Sequence, residues 1–443
     1  MKYIWLLTYN IFFLPLFWVV LRILSPFNKK IRDGFKARKH FFKELPKLIG
    51  SLDNSKKNVL IHCSSLGEFE QAKPIIENLD RTEKFNFIIS FFSTSGYNHF
   101  TFDSVLKSRY AVVYLPFDSP DNIKRFLNII GISAAIFIKY DLWLNLLNQL
   151  NNKKIFTMLV NATYQEKALK WKFFITRSYR KLVYNFFNVI AASDKDDTES
   201  LKEILSKSVK IYEVGDTKVE RIKKAKGISQ NVSLIKDSIL KNHHVFVVGS
   251  SWEADDSLIL PVLENITSTY GNNGLSILTI IAPHEPTEEN IAEIESLIKL
   301  NYHHLKTIRY SSIKKYSNEN IIIIDRIGLL MTLYKYADIA YVGGGLHSGL
   351  HNVLEPAGHG VPVLFGNHKL SGDAETLIDI GGGIAIDSHE ELYNRIISLM
   401  KNDELRKEIG KKSFSVFEKQ NESSKKITDL LITCLQEEEK KSV

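Results

Sequence analysis

NVLIHCSSLGEFEQAKPIIENL, Asn58 to Leu79, is the stretch on which the fold turns. Its opening run, NVLI, is apolar without alternation, as a strand buried on both faces of a parallel sheet reads. HCSSLGE then turns the chain, and AKPIIENL continues as a helix-like run. One such unit means little unless it recurs, and it does. FNFIISFF, AVVYLPF, AAIFIKY, KIFTMLV and NVIAAS follow it in the first half. HVFVVGS, LSILTIIAP, NIIIIDR, ADIAYVGGG, VPVLFGN and GGIAID occupy the second. A helix-like segment follows each run. This alternation predicts α/β architecture in two Rossmann-like, doubly wound domains facing a cleft. The polar, lysine-rich residues 220–244 lack a strong strand. The junction is placed there, with residues 25–220 in the first domain and 221–443 in the second.

The 443 residues are 44% hydrophobic and 24% charged, which excludes a disordered or fibrous chain. The two cysteines, Cys63 and Cys434, form neither a disulfide framework nor a CxxC metal pattern, and a reducing compartment fits. The net charge of +8 suits an anionic partner, or simply a basic surface. No run of interleaved aromatic and basic residues suggests a nucleic-acid groove.

Residues 1–24 read as a membrane anchor. Tyr3 to Leu24 is almost wholly apolar and has the length of a bilayer span. It outruns the apolar core of a cleaved signal peptide, which is the competing reading. Lys29, Lys30, Arg32, Lys36, Arg38 and Lys39 follow it. By the positive-inside rule the span is single-pass and the body cytoplasmic. Phe35, Phe41, Phe42, Leu45 and Leu48 form an apolar stripe among these cations, suited either to a lipid surface or to inward packing.

Ligands of open α/β sheets bind beyond the carboxyl ends of strands, so the residues just after each strand carry the chemistry. After ADIAYV come Gly343, Gly344 and Gly345, then His347, Ser348, His351, Asn352 and Glu355. Their glycine spacing is not the dinucleotide fingerprint. A structural turn would explain the glycines but not the histidines, asparagine and acid. GSSWEADD places Ser250 and Ser251 at a helix start, as caps or phosphate ligands. APHEPT places His284 after another strand. The DxD within Asp194–Asp197 reads as an acid-rich helix start rather than a metal site. In HCSSLGEFEQ, Glu68 is the candidate general base, with a capping-box acid as its alternative. Glu70 reads as a solvated acid, His62 as a packed support, and Cys63 as a small buried residue.

With these residues in view, the chain resembles the 3-deoxy-D-manno-octulosonic acid (Kdo) transferases. The resemblance rests on HCSSLGE, GSSWE, APHEP and LHNVLEP in that order, behind an N-terminal anchor. It implies the GT-B fold, with an acceptor-binding first domain and a CMP-Kdo-binding second domain. It implies inverting transfer of Kdo to the lipid A precursor at the inner membrane, with no bound metal and no cofactor beyond the donor. Glu68 would be the base. Ser250, Ser251, His284, Gly343, Gly344, Gly345, His351, Asn352 and Glu355 would hold CMP-Kdo. Two acceptor-domain segments depart from the family pattern: Lys139–Asn145 (KYDLWLN) and Asn161–Gln165 (NATYQ). Other readings are a different GT-B sugar-nucleotide transferase or epimerase, and a basic membrane-tethered binding module.

Overall fold

The computed structural model describes residues 2–442 apart from 103–104, 140–141, 165–173, 272–274, 348 and 419–421. Its strands form two seven-stranded parallel sheets in two compact units. The first sheet contains β1 (Lys57–Cys63), β2 (Phe85–Phe91), β3 (Tyr110–Tyr114), β4 (Ile132–Ile138), β5 (Phe156–Ala162), β6 (Val189–Ala192) and β7 (Lys210–Glu213). The second contains β8 (His244–Ser251), β9 (Ile277–Pro283), β10 (Thr307–Arg309), β11 (Ile321–Ile323), β12 (Ile339–Val342), β13 (Val363–Gly366) and β14 (Gly383–Ile386).

The first sheet runs β3-β2-β1-β4-β5-β6-β7, and the second β10-β11-β9-β8-β12-β13-β14. The order reverses between β1 and β4 in one and between β8 and β12 in the other. Those are the switch points where a crevice opens for ligand. β2 and β5 are buried at every residue, which is why their sequences show no alternation. β7 and β10 escaped the sequence reading because both are short edges: β7 is largely exposed and β10 has three residues.

Two core layers sandwich the first sheet. Leu60, Ile88 and Leu159 pack with Phe126 and Leu150 in one layer. Val59, Ile61 and Met158 pack with Phe69 and Ile75 of the Leu66–Asp80 helix in the other. Ile427 and Leu431 of the Ser423–Ser442 helix complete that second layer. The first unit therefore comprises Met1–Arg221 and Asn421–Val443, and the second Ile222–Gln420. The junction falls beside residue 221, but the last helix belongs with the first unit, whereas the sequence reading carried the second domain to residue 443. Ser424 shows why: its N–H donates to Glu220 Oε2 at 2.8 Å and its Oγ accepts from Asn78 Nδ2 at 2.8 Å.

The N-terminal helix, Lys2–Leu24, is long and apolar enough to cross a membrane. One of its sides is held against the first unit. Tyr9 is buried and donates its hydroxyl to Asp118 Oδ2 at 2.9 Å. In the two helices that follow, Lys29–Arg38 and Phe41–Gly50, Phe41 and Leu45 of the apolar stripe pack into the core, Phe35 and Phe42 are half-buried, and Leu48 is exposed.

Candidate functional site

In the first unit the turn after β1 ends at Ser65, which caps the Leu66–Asp80 helix. Ser65 Oγ accepts from the Glu68 N–H at 3.4 Å, and Glu68 Oε2 accepts from the N–H groups of Ser65, at 3.3 Å, and Ser64. This is a complete capping box. Glu68 therefore performs the structural role weighed against catalysis in the sequence. The same bonds fix the direction of its carboxylate at the switch-point strand end.

His62 is buried, with Nδ1 2.9 Å from Ser90 Oγ and its ring edge-on to Phe137. Cys63 is fully buried, and desolvation, with Glu68 nearby, pushes its thiol well above the usual range. Glu70 is not the solvated acid expected. It pairs with Lys73 at 2.7 Å and with Arg221 at 3.4 Å. Asp194 spends a carboxylate oxygen on the Asp197 N–H at 2.7 Å, capping the Lys195–Ile204 helix.

A buried amide network was not foreseen. Asn161 donates from Nδ2 to Gln71 Oε1 at 2.9 Å and to Thr217 Oγ1 at 2.7 Å. Asn161 has φ +54°, and Lys139, just past β4, has φ +60°. Non-glycine residues in this region are strained and gather at functional strand ends. Both lie in the segments that depart from the family pattern; their neighbours Tyr140, Asp141 and Gln165 fall outside the described residues.

The second unit brings together most of the residues singled out in its sequence. β8 ends at Ser250, with φ +54°, and Ser251, whose hydroxyl lies against Asp256. Trp252 opens the Glu253–Tyr270 helix. His284, past β9, stacks on Trp252 with centroids 4.5 Å apart. His351, in the loop after β12, stacks on the other neighbour of the set, His284, at 4.3 Å. Trp252 Nε1 donates to His351 Nε2 at 3.0 Å. Burial, then His284, lowers the His351 imidazole to about 4. His351 is thus neutral at pH 7, its Nε2 accepts, and its proton resides on Nδ1.

Asp255 binds this turn to the glycine loop, a role the sequence reading missed. It is buried, and it accepts from the N–H groups of Trp252 at 3.0 Å and Gly344 at 2.9 Å, and from Tyr341 Oη at 2.9 Å. The glycine loop itself is packed closely against protein. A Cβ on Gly344, which has φ +90°, would lie 2.4 Å from the Gly349 carbonyl oxygen. Gly343 and Gly345 flank it in the buried turn. Glu355, at the start of the Leu354–His359 helix, accepts from Asn352 Nδ2 at 2.9 Å. His347 is exposed, and Ser348 falls outside the described residues. The assembled surface offers a flat aromatic stack, the half-buried Ser250 with Ser251 buried beneath it, and the amino terminus of an 18-residue helix. Such a terminus favours an anion, and an aromatic stack favours a planar base.

The sequence model described as 3-deoxy-D-manno-octulosonic-acid transferase matches residues 34–221. A 3-deoxy-D-manno-octulosonic acid transferase of Aquifex aeolicus is 28% identical over 370 residues, 83% of this chain and 91% of that protein. Another, of Haemophilus influenzae, is 25% identical, over 85% of this chain and 86% of its own length. A bifunctional glycosyltransferase/methyltransferase of Fusobacterium nucleatum is 27% identical over 85% of this chain, which spans only 57% of that relative. Among solved structures, S. aureus MnaA with UDP superposes with a TM-score of 0.59 at 13% identity, covering 86% of this chain and 97% of that one. UDP-GlcNAc 2-epimerase from Neisseria meningitidis gives 0.57 at 13% identity, over 85% and 100%. These two likenesses establish the GT-B type of fold.

Proposed function

We propose that the chain, which is similar to the Kdo transferases over most of its length, is itself a Kdo transferase and moves Kdo from CMP-Kdo to the lipid A precursor in lipopolysaccharide inner-core synthesis. The observation that carries the donor half is the convergence of Ser250, Ser251, His284, His351 and the Gly343–Gly345 loop at the β8–β12 switch point. CMP-Kdo joins a planar base to an anionic phosphodiester, matching the stack and the helix terminus. Asn352 and Glu355 would hold ribose hydroxyls, the acid accepting from them as ribose-binding acids do.

In the reaction, a sugar hydroxyl of the acceptor attacks the anomeric carbon of Kdo with inversion. Glu68 takes the hydroxyl proton as the new bond forms. CMP departs as a phosphate monoester that needs little acid assistance, so the scheme calls for no bound metal. The acceptor is a lipid, and an apolar cavity of about 200 Å³ beside the β2 turn, lined by Leu21, Phe35, Phe92 and Phe117 among others, suits an acyl chain. The work would take place at the cytoplasmic face of the inner membrane, where the lysine and arginine bias after residue 24 belongs.

Purified protein incubated with CMP-Kdo and lipid IVA should yield products heavier by whole Kdo units in the mass spectrum; unchanged lipid would overturn the reading. CMP should raise the melting temperature and UDP should not. Glu355→Ala, in a folded protein, should weaken CMP about tenfold, as expected when a hydroxyl partner worth roughly 1–3 kcal/mol is removed.

A further inference from the structure

We infer that the N-terminal helix lies in the plane of the membrane, seated in the headgroup region of one anionic leaflet, and does not cross the bilayer. Its 23 residues extend about 35 Å, and contacts with the first unit follow it from end to end. The Lys2 ammonium sits 5.1 Å from the Phe186 ring centroid. Trp5 Nε1 donates to Ser178 Oγ at 3.1 Å. Tyr9 bonds Asp118, and Asn10 exchanges amide hydrogen bonds with Asn145 at 2.8 and 3.1 Å. At the far end, the Arg22 guanidinium lies 4.5 Å from the Phe35 ring centroid.

The residues on the docked side, Trp5, Tyr9, Leu14, Phe17 and Leu21, keep one stripe because the five-residue step from Tyr9 to Leu14 falls in a π-helical turn, Tyr9–Phe13. Docking also uses a buried carboxylate. Asp118 is 1% exposed and accepts, besides Tyr9, the N–H groups of Asn145 and Leu146 at the start of the next helix, at 3.0 and 2.9 Å. A helix crossing the bilayer with these bonds intact would carry Asp118, Asn145 and Ser178 into hydrocarbon, where charged and polar groups are costly. A helix lying flat keeps all of them on the protein side.

The opposite side suits a lipid surface. Ile4, Leu7, Ile11, Phe12, Leu16 and Ile23 are exposed. The helix that follows carries exposed Lys29, Lys30, Arg32 and Lys36. An apolar strip continued by cations is complementary to acyl chains below anionic headgroups. The occupant is therefore an anionic phospholipid leaflet, and the span expected from hydropathy is replaced by a one-leaflet seat.

Two measurements on the full chain test this. Tyr3→Cys and Lys30→Cys, each at an exposed site, are probed with a membrane-impermeant maleimide; the native Cys63 and Cys434 are buried. Both variants should stay unlabelled in intact spheroplasts and react in inverted membrane vesicles. Labelling of Tyr3→Cys in spheroplasts would place that end across the membrane and overturn the proposal. Independently, purified protein added to preformed vesicles should bind phosphatidylglycerol-containing bilayers at least about tenfold more tightly than phosphatidylcholine alone, with the difference shrinking as salt rises. Equal binding to both would overturn the anionic leaflet as the occupant.

Discussion

Glu68 combines one observed role, as the capping-box acid, with one proposed role, as the base. As the acid of a capping box it is bonded to the Ser64 and Ser65 amides, which explains its place in the turn without any substrate. As the base it needs the fixed direction those bonds impose. Glutamine separates the roles, because its carbonyl can still accept from an amide but cannot take a proton. Glu68→Gln should cost about 1 kcal/mol of stability and lower turnover about 10²–10⁴-fold with CMP affinity unchanged. Transfer above about a tenth of the parent rate would remove Glu68 from the mechanism. Asp256 makes a different residue-level statement. Burial raises its carboxyl to about 7 from 3.8. Between those values the folded protein holds a proton that the unfolded chain has released, so stability falls as pH rises from about 4 to 7. Asp256→Asn should flatten that part of the melting temperature against pH curve; an unchanged slope would assign it to another group. At this scale the sequence singled out the hydroxyls and imidazoles that the second unit gathers at its strand ends, since such groups have few other reasons to crowd there. It could not disclose Asp255. An acid in a first helical turn reads as a dipole partner, and only the fold reveals that it also bonds β12's tyrosine and the glycine loop after it, 86 and 89 residues further along the chain.

The strand-to-helix turn is the element on which both units depend, and its glycines are not equivalent. A Cβ at Gly344 would press on a neighbouring main chain, and its φ of +90° adds strain of about 1–3 kcal/mol. A Cβ at Gly67 would meet nothing nearer than Ser65 Oγ at 3.9 Å. Gly344→Ala should therefore lower the melting temperature and abolish CMP binding together. Gly67→Ala should fold at least as well as the parent, and calorimetry of both variants checks the contrast. Elements were legible where burial is two-sided, as in β2 and β5, because continuous apolar runs have no other explanation in a chain of mixed composition. They were illegible at the edges. β7 exposes most of its residues and β10 is only a single extended triplet, so neither leaves a hydrophobic signature. The N-terminal helix was legible as an apolar segment but not as a docked one. Hydropathy averages over all sides of a helix and hides the single polar stripe formed by Trp5, Tyr9 and Asn10.

For the whole molecule, the sequence revealed two α/β repeats and a junction near residue 220, since a polar stretch interrupts the run of strands there. It did not reveal that the chain returns to the first unit, because an amphipathic terminal helix carries no label saying which sheet it covers. The assignment has a direct check: residues 222–420 expressed alone should be soluble and bind CMP, whereas residues 25–220 alone should expose the face normally covered by Ile427 and Leu431 and bind a hydrophobic dye. A well-folded, dye-free first fragment would show that the last helix is dispensable. The same return has a consequence during synthesis. A ribosome makes the first sheet early but must translate roughly 200 further residues before the helix that seals it emerges, about 10–40 s at 5–20 residues per second. Through that interval Val59, Ile61 and their neighbours lack part of their cover, and the second unit has everything it needs to fold first. The unit made first is thus the one whose core is completed last, because its final piece is the end of the chain.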